Sequence, residues 1–248
     1  MIVTPIKTSK ILAGEIDLVS LLDIAIEKLE NSSVVVITSK IVSLCENNVI
    51  SFGSVNREQL ISREAKLYLP AKFSKYNHHF TITNHTLIPA AGIDESNSNG
   101  NYVLWPKDVQ KTANRTRVYL KKRFMLSEVG VIISDSTSRP LRRGITGIAL
   151  AHSGFLALKN YVGKPDLFDK PFNISQADIA GGLAASAVLQ MGEGNEQTPI
   201  AILSNLPFVQ FQDRNPNNEE LNEINLTLDD DLFAPFLTAV KWEKGRGR

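Results

Sequence analysis

Three short stretches combine carboxylates with the small residues that shape tight loops: Gly92-Ile93-Asp94-Glu95-Ser96-Asn97, Ser134-Asp135-Ser136-Thr137 and Met191-Gly192-Glu193-Gly194-Asn195-Glu196. Oxygen-rich positions of this kind suit a hard divalent cation, and magnesium is commonly held by one or two carboxylates together with substrate phosphates. The stretches lie too far apart in sequence to form a local metal loop, so any shared site has to be assembled by the fold. The competing reading is structural, because an Asp in a Gly- or Ser-rich turn more often caps a helix or an Asx-turn than binds metal. Asp135 stands out against that background by closing the short strand-like run Val129-Gly130-Val131-Ile132-Ile133-Ser134-Asp135. Beyond it come Arg139, Arg142 and Arg143, whose planar forks suit phosphate or carboxylate, with salt bridges to neighbouring acids as the plain alternative.

Other common chemistries find no support. The sequence has no GxxxxGK[ST] and no GxGxxG opening a helix after a strand, so phosphate binding by a conventional glycine loop is not expected. His78, His79, His85 and His152 follow no metal spacing, and His152 reads more readily as a satisfied structural histidine. A GxSxG elbow is absent. The single cysteine, Cys45, reads as a small hydrophobe and rules out an intramolecular disulfide or a cysteine zinc site. Lys and Arg number 27 against 26 Asp and Glu, a balance that gives no overall field favouring nucleic acid or an anionic membrane. No secretion signal or membrane-length apolar stretch is evident, and a cytoplasmic location is expected.

The elements that must position these groups alternate irregularly. A helical pattern over Leu18–Leu29 feeds a buried strand at Val34–Ile37, which ends in the loop Thr38-Ser39-Lys40. A second helix is expected over Arg57–Tyr68 and one alternating strand over Phe80–Leu87. A helix begins after Pro106, with Asp108 in its first turn, and runs towards Phe124; the strand Val129–Asp135 follows and ends in its acid. Gly147–Leu158 fits a strand or a buried helix, Ser175–Met191 an alanine-rich helix, and Pro199–Leu203 a buried strand. The pair Gly181-Gly182 reads as permitting close helix packing. The class expected is α+β, with mixed and antiparallel sheets against packed helices, in one catalytic region spanning 1–248 or two intertwined subdomains, with residues 245–248 frayed.

The segments Thr38-Ser39-Lys40-Ile41-Val42-Ser43, Ala91 to Asn97, Asp135-Ser136-Thr137-Ser138-Arg139-Pro140-Leu141-Arg142 and Met191 to Glu196, in that order, resemble the coenzyme F420-0:L-glutamate ligase family. Asn160 to Phe168 resembles a further Gly-and-Asp motif of the same family, and the likeness runs to about Leu203. The resemblance implies a GTP-dependent enzyme that uses Mg²⁺ or Mn²⁺ to join L-glutamate to F420-0 through an acyl phosphate. It also implies a homodimer and an α+β fold unlike the P-loop or Rossmann folds. Carried over by motif, Asp94, Asp135, Ser136 and Glu193 would be metal ligands. Ser39, Lys40 and Asn97 would contact the nucleotide, with Thr8, Ser9, Lys10 and Ile11 in its first loop. Asp135, Arg139 and Arg142 would be catalytic. The chain departs from the family's common DTFGRPWR with DSTSRPLR, has Leu44 where a nucleotide-contacting lysine is usual, and has Asp169 where glycine is common. These departures keep two alternatives open: a related nucleotide-dependent amide ligase acting on another carboxylate, and a non-catalytic nucleotide-binding protein.

Overall fold

Ser33–Thr38 is apolar on both faces of an extended chain, which demands burial on both sides. In a computed structural model, which describes residues 1–247, this strand lies at the centre of a five-stranded sheet. The chain runs β1 (Ile2–Ile6), α1 (Leu18–Ala25), β2 (Ser33–Thr38), α2 (Ser39–Cys45), β3 (Val49–Ser51), α3 (Arg57–Glu64), β4 (Leu67–Leu69), β5 (Phe80–Thr83), β6 (Thr86–Pro89) and β7 (Asn101–Val103). It continues α4 (Val109–Arg123), β8 (Val129–Ser138), β9 (Ile145–Ser153), β10 (Leu158–Asn160), β11 (Gln176–Asp178), α5 (Ile179–Met191), β12 (Ile200–Ser204), α6 (Asn218–Ile224), α7 (Ala234–Leu237) and β13 (Glu243–Lys244).

The main sheet has the order β1-β12-β2-β8-β9, and only β2 and β8 pair in parallel. Its two faces follow from strand periodicity. Val35, Ile37, Val131 and Ile133 enter one core with Leu22 of α1, Val42 of α2 and Leu120 of α4. Val34, Val36 and Ile132 enter the other with Leu183, Ala184 and Ala187 of α5. A four-stranded sheet β13-β4-β5-β6 and the pair β3-β7 accompany a third cluster built on Leu60, Ile61, Ala90, Ile93 and Leu104. The class is therefore α+β with mixed sheets and packed helices, and the topology is neither P-loop nor Rossmann.

Several boundaries differ from expectation. The expected strand at Phe80–Leu87 is a hairpin of two strands, turned by Asn84 and His85, both at positive φ. Arg57–Tyr68 divides into a helix and a strand, because the chain leaves helical geometry at Ala65. Thr38 does not open a loop: its Oγ1 accepts from the Ile41 N–H at 3.4 Å as the N-cap of α2. Residues 245–247 are not frayed, since their backbone N–H groups donate to the carbonyls of Lys66, Ser62 and Ala65; Arg248 lies outside the described residues. The Gly181-Gly182 pair does not make the close contact expected of it. A Cβ on Gly182 would meet nothing within 4 Å, whereas one on Gly147 of β9 would fall 2.5 Å from the Ala184 carbonyl oxygen of α5.

Candidate functional site

The parallel pair β2 and β8 brings two chain segments out at one end of the sheet, with Thr38 opposite Ser134 in register. One residue later stands Asp135, and in the first turn of α2 stands Lys40. A cleft of about 430 Å³ opens there. Its walls come from Thr8, Ser9, Lys10 and Ile11, from Lys40 and Leu44 of α2, from Asp94 and Asn97, from Asp135 and Ser136, and from residues 191–199.

The walls are tied together by hydrogen bonds. The Lys40 Nζ lies 2.6 Å from Asp94 Oδ2 and donates to the Ser96 carbonyl and hydroxyl, each at 3.1 Å. Asp94 Oδ1 accepts from the Ser96 N–H at 2.7 Å and its hydroxyl at 2.9 Å. The Asn97 side-chain amide donates to the Gly194 carbonyl at 2.8 Å, and the Thr8 N–H to the Gln197 carbonyl at 2.9 Å. Ser136 Oγ donates to Glu193 Oε2 at 3.3 Å. Asp135 Oδ1 accepts from the Ser136 N–H at 2.8 Å, while its Oδ2 accepts from the Trp105 indole N–H.

The carboxylates differ in affinity for protons. Burial pushes Asp135 up to about 6, with the nearby Asp94 charge adding to the rise and the Trp105 and Ser136 donors opposing it. Asp94 is also partly desolvated, yet the Lys40 ammonium and the Ser96 donors outweigh that and hold it below the ordinary value. Glu193 is raised, by burial first and then by the charges of Asp94 and Glu196, against the Ser136 and Lys40 contributions. Among the described residues no group of three or more His, Cys, Asp or Glu side chains stands ready to hold a metal. The donor set nevertheless fits a hard cation: carboxylate and hydroxyl oxygens, with the Asp94 charge near enough to raise both Asp135 and Glu193, suit a site that substrate phosphates complete.

Not every expected residue reaches the cleft. Ser39 is buried at 3% exposure as the first residue of α2 and does not line it. Arg139 and Arg142 do not stand beside Asp135, because β8 continues through the acid to Ser138 instead of ending there. At about 3.3 Å per strand residue, four residues carry the chain about 13 Å away. Arg139 instead lines a second cavity of about 810 Å³ with Gln110, His152 and Asp178, and Arg142 is exposed. Trp105 was not singled out by motif. Its sequence signal is weak: a tryptophan that becomes buried needs a partner for its N–H.

A family model described as F420-0:Gamma-glutamyl ligase matches residues 5–205. The chain is 35% identical over 199 residues to the coenzyme F420:L-glutamate ligase of Methanococcus maripaludis, covering 72% of this chain and 78% of the relative. It is 32% identical over 202 residues to the protein of the same description from Methanocaldococcus jannaschii, covering 73% and 79%. Against that of Methanothermobacter thermautotrophicus the identity is 30% over 198 residues, covering 73% and 78%.

Proposed function

This chain belongs to the F420-0:gamma-glutamyl ligase family and is an enzyme of ligase type, and from that premise we propose that it uses GTP and a divalent cation to join the amine of L-glutamate to the carboxylate of coenzyme F420-0. The observation that carries the reading is the meeting of Asp94, Asp135, Ser136 and Glu193 with Lys40, Asn97 and the segment Thr8 to Ile11 around one cleft. Asp94, Asp135, Ser136 and Glu193 are the groups proposed to hold Mg²⁺ or Mn²⁺, which when bound supplies positive charge against the nucleotide phosphates. Lys40 adds a fixed cation on the same wall. Thr8, Ser9, Lys10, Ile11 and Asn97 are proposed to hold GTP; Ser39 is buried in the first turn of α2 and does not line the cleft.

In the reaction proposed, the acceptor carboxylate attacks the γ-phosphorus and GDP leaves with the electron pair of the broken P–O bond. The amine of glutamate then attacks the acyl carbon, the new C–N bond forms, and inorganic phosphate and a proton are released. Orientation and electrostatics supply the acceleration, so no protein nucleophile is required. Cys45 is unsuited to that role in any case, because burial pushes its thiol up to about 11. Arg139 and Arg142 are proposed to meet outlying charge on the acceptor rather than the reacting atoms.

A second reading, an amide ligase for a different carboxylate, draws support from the loop after Asp135, where DSTSRPLR stands in place of the family's common DTFGRPWR. Mass-resolved product analysis separates the two. Incubation with F420-0, L-glutamate, GTP and Mg²⁺ or Mn²⁺ is expected to give a glutamate-extended product. Failure to form it, with an active control ligase in the same mixture, would transfer the assignment to another acceptor. The homodimer is part of the proposal and draws support from the nearly full exposure of Leu141, Leu167 and Phe168. Sedimentation should give the mass of two chains, and a single-chain mass at micromolar concentration would remove it.

A further inference from the structure

We propose that Trp105 is a positioning residue that sets the separation and orientation of Asp94 and Asp135, an inference that rests on the reading of those two acids as cation ligands. Trp105 lies between β7 and α4, half-buried, and touches both acidic loops. Its indole N–H donates to Asp135 Oδ2, while the Ser136 backbone N–H donates to Oδ1 at 2.8 Å. Each carboxylate oxygen therefore has one donor, and its other lone pair is left for a ligand. The same indole packs against Gly92, two residues before Asp94. A Cβ there would fall 2.2 Å from the indole Cε2, and the backbone sits at φ +73°.

The segment that carries Trp105 is itself anchored to Asp94. The Asp94 N–H donates to the Val103 carbonyl at 3.0 Å and the Val103 N–H to the Asp94 carbonyl at 2.8 Å. From the other side the Asn48 side chain donates to the Trp105 carbonyl at 2.8 Å. Packing against Gly92 needs no hydrogen-bond donor. The N–H aimed at a carboxylate is what packing leaves unexplained, and outer donors of this kind orient ligating groups and tune their affinity.

The test is Mn²⁺ affinity in the presence of GTP, read from the paramagnetic resonance of free Mn²⁺, for the wild-type chain and Trp105→Phe. Phenylalanine keeps an aromatic ring at this position and removes the N–H. Affinity is expected to fall about 10- to 100-fold in the variant. Equal affinity in the two proteins overturns the inference and leaves the cation reading standing, whereas no binding by the wild-type chain overturns both. If Trp105→Phe does not fold, Trp242→Phe leaves Trp105 as the sole tryptophan. Its emission should then be quenched as Mn²⁺ is added with GTP, and unchanged emission on saturation overturns the inference.

Discussion

Asp135 accepts from two directions and carries the highest proton affinity of the cleft's two aspartates, so its charge is held at some expense of burial. Asp135→Asn preserves shape and removes the charge. Product formation is expected to fall on the order of 100-fold or more with nucleotide binding partly retained, and full activity in that variant would remove Asp135 from the proposed site. The convergence of Asp94, Asp135, Lys40, Asn97 and Glu193 was legible because each sits in a short motif that survives as a local shape. The burial of Ser39 in α2 was not legible, since an isolated Ser gives no sign of whether its backbone turns out as loop or in as helix. The reach of Arg139 depended on how far β8 runs, and polar residues from Asp135 to Ser138 conceal a strand that continues by pairing with β9. Asp169, where glycine is common in the family, sits at φ +62°, a conformation that Asp tolerates better than most side chains.

At the scale of elements, the approach of α5 to β9 governs the cleft's far wall. Gly147 leaves no room for a side chain, with a Cβ falling 2.5 Å from the Ala184 carbonyl oxygen and 2.7 Å from Val188. Gly147→Ala forces the helix outward and is expected to cost about 1–3 kcal/mol, read as a lower urea midpoint. Because α5 runs directly into the loop bearing Glu193, the variant should also raise the GTP KM. A change in midpoint with no change in KM would uncouple the helix from the site. The buried strands were legible from their apolar runs, β2 and β12 nearly to the residue. Gly147–Leu158 was ambiguous because small residues give no clean period; pairing with β8 makes its part up to Ser153 the strand β9, while residues 154–157 link it to β10. The close contact of α5 lies at Ala184 and Val188 against Gly147 of β9, away from the helix's own glycines. The Gly181 N–H donates at 2.7 Å to Asp178, the N-cap, and a tight approach across elements leaves no mark on local sequence.

The molecule as a whole should respond to acid through His152, which is 2% exposed on β9 with its ring edge-on to Phe155. Burial holds its pKa down to about 4, against a weaker opposing pull from Glu220. The unfolded chain takes up this proton as pH falls through about 6.5 and the folded chain only near 4, so acid favours unfolding across that window. The loss should reach about 3 kcal/mol at most. Asp135, raised to about 6, works in the opposite sense, gaining stability as pH falls. The readout is therefore the difference between the wild-type chain and His152→Phe in urea midpoints at pH 7.5 and 4.5, and parallel shifts in the two proteins would clear His152. The sheet order has one more consequence, for the sequence of events in folding. β12 is hydrogen-bonded between β1 and β2, joining residues near 200 to residues near 3 and 35. A chain emerging from the ribosome can pair neither β1 nor that side of β2 until the strand at 200–204 has been made, and closing such distant contacts is slow. The wall formed by residues 191–199 is thus the last part of the cleft to be placed, and a nascent chain stopped short of that strand is expected to bind nucleotide more weakly than the finished one.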